Sequence, residues 1–145
     1  MKKITTLLLA GLFAIPASAA TLDIEVHGVQ SEKGSLVINV YDNKKTWMEE
    51  DQQDIFKQHI VPLKGALKDG VLATEIDIPE GEYALHIYQD WDDNKEMDSN
   101  WIGIPKEPVA TSNNAKGSMG PPSYKDAKFK VDATGAKQVV NIVEI

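Results

Sequence analysis

The chain has 145 residues, 22 acidic and 15 basic side chains and a formal charge of −7; every basic residue is lysine, and cysteine is absent. An acidic chain without arginine lacks the guanidinium forks and positive stripes that grip phosphate backbones, which argues against a nucleic-acid partner. Without cysteine there is no disulfide framework, thiolate metal site, iron–sulfur cluster or cysteine nucleophile, while 42% hydrophobic residues suffice for one domain with a core.

Residues 1–20 read as a secretory signal peptide. Lys2 and Lys3 precede an apolar run from Leu7 to Ile15, then Pro16 and the small residues Ala17-Ser18-Ala19-Ala20. Cleavage is expected near Ala19 or Ala20, with a periplasmic or secreted bacterial protein as the product. The run is too short to cross roughly 30 Å of hydrocarbon, so the chain is not expected to span a membrane. Loss of the leader would leave 13 lysines against 22 acids, a charge of −9 on the single domain 21–145.

The domain shows the strand period of two. Leu22, Ile24 and Val26 alternate with Asp23, Glu25 and His27. Leu36, Ile38 and Val40 alternate with Val37, Asn39 and Tyr41. Lys44–Lys57 breaks the pattern and suggests one or two helical turns, with Trp47 as a core plug. Further strands are expected at Ile60–Leu67, Leu72–Ile78, Tyr83–Tyr88, Ala127–Val131 and Val139–Ile145. About seven short strands between Gly, Pro and Asn turns predict an all-β fold, an antiparallel β-sandwich with a long loop over one end. A barrel is the alternative.

Asp90–Asn100 (DWDDNKEMDSN) carries five carboxylates and one lysine in residues 90–98, a local charge of −4. Asp90, Asp92, Asn94, Glu96 and Asp98 fall at every second position. In a tight loop this spacing can aim oxygens at one centre, as a hard cation such as calcium requires. It departs from an EF-hand loop, with Lys95 in place of the sixth-position glycine and Trp101 in place of the twelfth-position glutamate. The competing reading is a solvated acidic turn. The following segment, Gly103–Ser123, has no strand period and is expected to lie in order over one end of the sandwich. Trp91 and Trp101, with Asn113 and Asn114, are candidate groups for a protein or glycan partner. Trp101 is also expected to pack beneath the loop.

From Asp90 onward the chain resembles a bacterial family of unknown function, family 2141. The resemblance rests on the Asp90–Asn100 turn, Gly103-Ile104-Pro105-Lys106-Glu107-Pro108, Ser112-Asn113-Asn114-Ala115, and Gly120-Pro121-Pro122 leading to Asp126-Ala127-Lys128-Phe129. Pro79–Ala84 and Gly34–Asp42 resemble it too. It implies an Ig-like or transthyretin-like sandwich and an exported protein, and it implies no established activity.

Catalytic patterns are thin. There is no G-x-S-x-G elbow, H-E-x-x-H, P-loop or dinucleotide fingerprint. His27 and His86 are expected on the outward faces of their strands, where they could share a metal only if those strands were neighbours. The chain is therefore expected to be non-catalytic, with a calcium-ordered loop. A carbohydrate-binding module using Trp91 and Trp101 is the alternative, and a hydrolase built on paired carboxylates comes third.

Overall fold

The computed structural model describes residues 19–49 and 54–145. Most of the expected leader and part of the Lys44–Lys57 segment lie outside these residues. Among the described residues there are eight strands, a single 3-10 turn at Ser112–Asn114 and one short α-helix. The strands are β1 (Ala19–His27), β2 (Ser35–Tyr41), β3 (Lys57–Pro62), β4 (Leu72–Pro79), β5 (Gly81–Asp90), β6 (Val109–Thr111), β7 (Phe129–Val131) and β8 (Ala136–Asn141). Helix α1 (Tyr124–Ala127) is capped by Ser123, whose hydroxyl accepts from the Asp126 amide.

The strands form two sheets, β4-β1-β8 and β3-β2-β5-β6, with β7 also pairing with β5. Strand β1 runs antiparallel to β4 and parallel to β8. The sheets face each other across one core. Leu22, Ile24 and Val26 of β1 meet Leu36, Ile38 and Val40 of β2 and Leu85 and Ile87 of β5, all buried. These are the residues that strand alternation assigns inward, so burial of one face per strand explains the architecture.

The five-stranded sheet departs from that rule, because β5 is buried on both faces from Tyr83 to Asp90. Its outer face is roofed by the segment that follows β6. Tyr124 and Ala127 pack on Ala84 and against Trp47. Trp47 meets Tyr41 and Tyr124 edge-on, and its indole N–H donates to the Pro122 carbonyl at 2.9 Å. Residues 44–48 form turns and no helix. His86 is accordingly buried, not outward and wet, and lies in a different sheet from His27, so the two cannot share a metal.

Side chains tie the two sheets together at their edges. His59 Nε2 and Thr74 Oγ1 lie 2.9 Å apart, and Lys57 Nζ donates to the Asp77 carbonyl at 2.8 Å, joining β3 to β4. At the opposite side, Asn113 and Asn114 face β8. The Asn141 amide donates to Asn114 Oδ1 at 2.9 Å, and the Asn113 amide donates to Gln138 Oε1 at 2.8 Å. Such side-chain contacts cover edges that would otherwise offer a pairing template.

Two expected strands are displaced. The Ile60–Leu67 run is strand over Lys57–Pro62 and then a turn with left-handed Gly65 (φ 74°). The last strand is Ala136–Asn141, not Val139–Ile145. The eighth strand, β6, lies inside the segment read as a long loop.

Candidate functional site

Strand β5 ends at Asp90, the last residue paired with β2, where it faces Ser35. A close approach sets this register. A side-chain Cβ at Gly34 would fall 1.8 Å from the Asp90 carbonyl oxygen, and Gly34 has φ 72°, so only glycine fits. The chain then turns sharply. Asp93 and Lys95 both take left-handed backbone (φ 54° and 62°), so Lys95 adopts the conformation for which a calcium loop ordinarily uses glycine.

The turn folds around the Asp90 side chain. Its Oδ2 accepts from the Lys95 amide at 2.7 Å and its Oδ1 from the Asn94 amide at 3.3 Å. Asp92 accepts from the Asn94 amide and from Asn94 Nδ2, each at 3.3 Å. Asn94 Nδ2 also donates to Asp98 at 3.1 Å, and Asn94 Oδ1 accepts from the Glu96 amide at 2.9 Å. Asn94 therefore braces the turn.

A residue outside the alternating series completes the cluster. Glu107 enters from the strand-like return before β6. Its Oε2 accepts from the Trp91 amide at 2.6 Å and its Oε1 from the Asp98 amide at 2.9 Å. One carboxylate oxygen from each of Asp90, Asp92 and Glu107 lies within 4.8 Å of the others. Asp90 and Glu107 are 1% and 2% exposed, whereas Asp92 is open to solvent. The structure thus joins Asp90 and Asp92 of the expected set with Glu107. It leaves Glu96 exposed on the loop surface and uses Asp98 chiefly to brace Asn94 and Glu107.

Burial pushes the Asp90 carboxyl up from its ordinary value; the Lys95 amide counters this and nearby Asp92 adds to it. Burial likewise pushes Glu107 up, against the Asp98 and Trp91 amides. No cationic side chain forms an ion pair with either carboxylate among the described residues. Two residues before Asp90 on the same face, Tyr88 is fully buried and its hydroxyl has no hydrogen-bond partner among the described residues. Burial, then the charges of Asp90 and Glu107, drive its phenol strongly upward. Three convergent carboxylates, two of them buried, repel one another, and added positive charge or protons would relieve that repulsion.

The remaining candidates separate. Trp91 is half-buried with the Lys33 ammonium 5.6 Å from its ring. Trp101 is 94% exposed, so it does not pack beneath the loop. Tyr88 and Tyr124 are buried. The two tryptophans therefore stand in unlike surroundings and not on one platform. The Asn113 amide group donates to the carbonyls of Asp126 (3.1 Å) and Lys128 (2.9 Å). Together with the contacts to β8, this engages both asparagines in holding the fold.

A family model described as uncharacterized protein conserved in bacteria (DUF2141) matches residues 24–139. No curated protein and no solved structure matches the chain.

Proposed function

The chain belongs to the bacterial family DUF2141, and from its own residues we propose that it is an exported, non-catalytic sandwich protein whose acidic loop is ordered by calcium. Asp90, Asp92 and Glu107 would supply the protein oxygens, and the open side at Asp92 would leave room for water. The family resemblance adds an Ig-like or transthyretin-like arrangement of the two sheets to this reading.

One observation carries the proposal. Two almost fully buried carboxylates from separate segments meet a third, and among the described residues no cationic side chain forms an ion pair with them. Exposed acidic turns are common and need no ion. Backbone amides offset part of the cost of burying Asp90 and Glu107, but the mutual repulsion of the convergent carboxylates opposes folding until protons or a cation relieve it. A hard divalent cation suits an all-oxygen set, and six to eight oxygens at roughly 2.3–2.6 Å would define calcium. Bound at the base of the loop, the ion would fix the segment 98–107 against β5 and present it to a partner.

Calorimetric titration of chelator-treated protein with calcium tests this. Extracellular sites of this kind bind at roughly 10⁻⁴–10⁻³ M, so saturable heat in that range is expected. Glu107→Gln should abolish it. Absence of heat up to about 10 mM calcium would refute the proposal.

A further inference from the structure

The segment between Asp98 and Glu107 is a narrow hairpin. Its base is closed by the Lys106 amide donating to the Asp98 carbonyl at 2.8 Å and by a bridge between Ser99 and Pro105. Its tip reads Trp101-Ile102-Gly103-Ile104-Pro105 and carries no polar side chain. Trp101 is 94% exposed, Ile102 57% and Ile104 39%.

Most of the amide donors at this tip are bonded within it. Asn100 Oδ1 accepts from the amides of Ile102 and Ile104, each at 3.0 Å. The Gly103 amide donates to the Asn100 carbonyl at 3.0 Å, and the Asn100 amide donates to the Ile104 carbonyl at 2.8 Å. Pro105 has no N–H. Three of the four amide N–H groups from Trp101 to Ile104 are thus bonded inside the turn. Pairing these donors lowers the cost of moving the tip out of bulk water, and the carbonyls of Trp101, Ile102 and Gly103, which accept no bond among the described residues, suit the hydrated head-group zone and not the hydrocarbon core.

We propose that the Trp101–Ile104 tip is a docking device that inserts into the interface of a phospholipid bilayer. Tryptophan and branched aliphatics are the side chains that favour that zone. Sugar recognition would need polar groups beside the indole to bond hydroxyls, and the tip has none. A specific protein interface ordinarily buries about 800 Å² per partner over a shaped patch, whereas this is a narrow protruding point. The charge selects the lipid. Exposed Lys95 and Lys106 partly offset exposed Asp92, Asp93 and Glu96 around the hairpin base, but the chain as a whole carries a charge of −7, so zwitterionic head groups fit and anionic ones repel. The inference is independent of calcium.

The test is co-sedimentation of the full chain with sucrose-loaded phosphatidylcholine vesicles in chelator. Trp101→Ser with Ile102→Ser is the comparison, and its unchanged melting temperature would show that it folds. Both proteins share the same N-terminus, so any pull from the apolar N-terminal run cancels. Partitioning about fivefold or more stronger for the unaltered chain is expected. Replacing about a third of the lipid with phosphatidylglycerol should weaken it. Bromine-labelled lipid should quench the fluorescence, and Trp101→Phe should lose the quenching while still sedimenting. Equal sedimentation of the two proteins, or sedimentation of neither, would overturn the proposal.

Discussion

The Glu107 carboxylate accepts the Trp91 amide at 2.6 Å, a link across sixteen residues that pins the return of the hairpin to the end of β5. The same carboxylate holds the Asp98 amide, so one buried side chain organises both ends of the acidic segment. Glu107→Ala would leave two N–H groups without their acceptor. Each orphan costs about 1–3 kcal/mol, so a loss of roughly 2–4 kcal/mol is expected by denaturant unfolding in chelator. The denaturant slope should stay unchanged, since the surface exposed on unfolding is nearly the same.

Ser112 plays a comparable part on the far side of β5. It is fully buried, accepts from the Leu85 amide at 2.8 Å and donates to the Ala127 carbonyl at 2.6 Å. Ser112→Ala strands both groups and should cost about 2–4 kcal/mol. Calcium should not offset the loss, because the residue is remote from the acidic cluster. Urea unfolding with and without calcium checks both statements.

His86 gives stability a definite sign against pH. Burial lowers its pKa to about 4, from 6.5. The folded state therefore holds the proton less tightly than the unfolded chain. The associated stability is present above the unfolded value and is lost as pH falls from about 6.5 toward 4, by up to about 3 kcal/mol. His59 shifts the same way, through burial and the Lys57 charge. His86→Gln should flatten the acid limb of the stability curve, as measured by melting temperature between pH 7 and pH 4.

Asp90 and Glu107 act in the opposite direction. Their carboxyls are raised, so the folded state holds those protons more tightly than the unfolded one. Their contribution is complete below the ordinary carboxylate values and is lost as pH rises through the raised ones. In chelator this opposes the His86 trend. Under the calcium proposal the ion competes with the protons, so stabilisation by calcium should shrink as pH falls through the same interval. Melting curves with and without calcium across that pH range should converge on the acid side; a constant gap would contradict the assignment.

The strands that were legible in the sequence are those whose alternation runs for several residues, namely β1, β2, β4 and β5. Strand β6 was not, because Val109-Ala110-Thr111 is too short to show a period and sits among prolines. The expectation of an exposed His86 fails for a different reason. Alternation says which side of the sheet a residue faces, but not whether that side is wet, and Tyr124, Ala127 and Trp47 roof much of the outer face of β5.

The candidate site was half legible. Asp90 and Asp92 showed through charge density and spacing. Glu107 did not, since it lies far along the chain and meets them only when the hairpin folds back. Its place in the Gly103–Pro108 element marks it as part of the family resemblance, but nothing in its spacing ties it to Asp90 and Asp92. An indole ordinarily seeks cover, yet Trp101 stands 94% exposed at the tip of a turn that Asn100 holds through the Ile102 and Ile104 amides.

Thermal unfolding in chelator and in about 10 mM calcium at neutral pH reads directly whether calcium holds the Asp90–Asp92–Glu107 cluster. For a dissociation constant of about 1 mM, mass action gives a stabilisation of roughly 1.4 kcal/mol. In a domain of this size that is a rise of about 4–6 °C. That rise is expected for the unaltered chain, and little or none for Glu107→Gln. An unmoved melting temperature, or an equal rise in Glu107→Gln, would contradict calcium binding at this cluster.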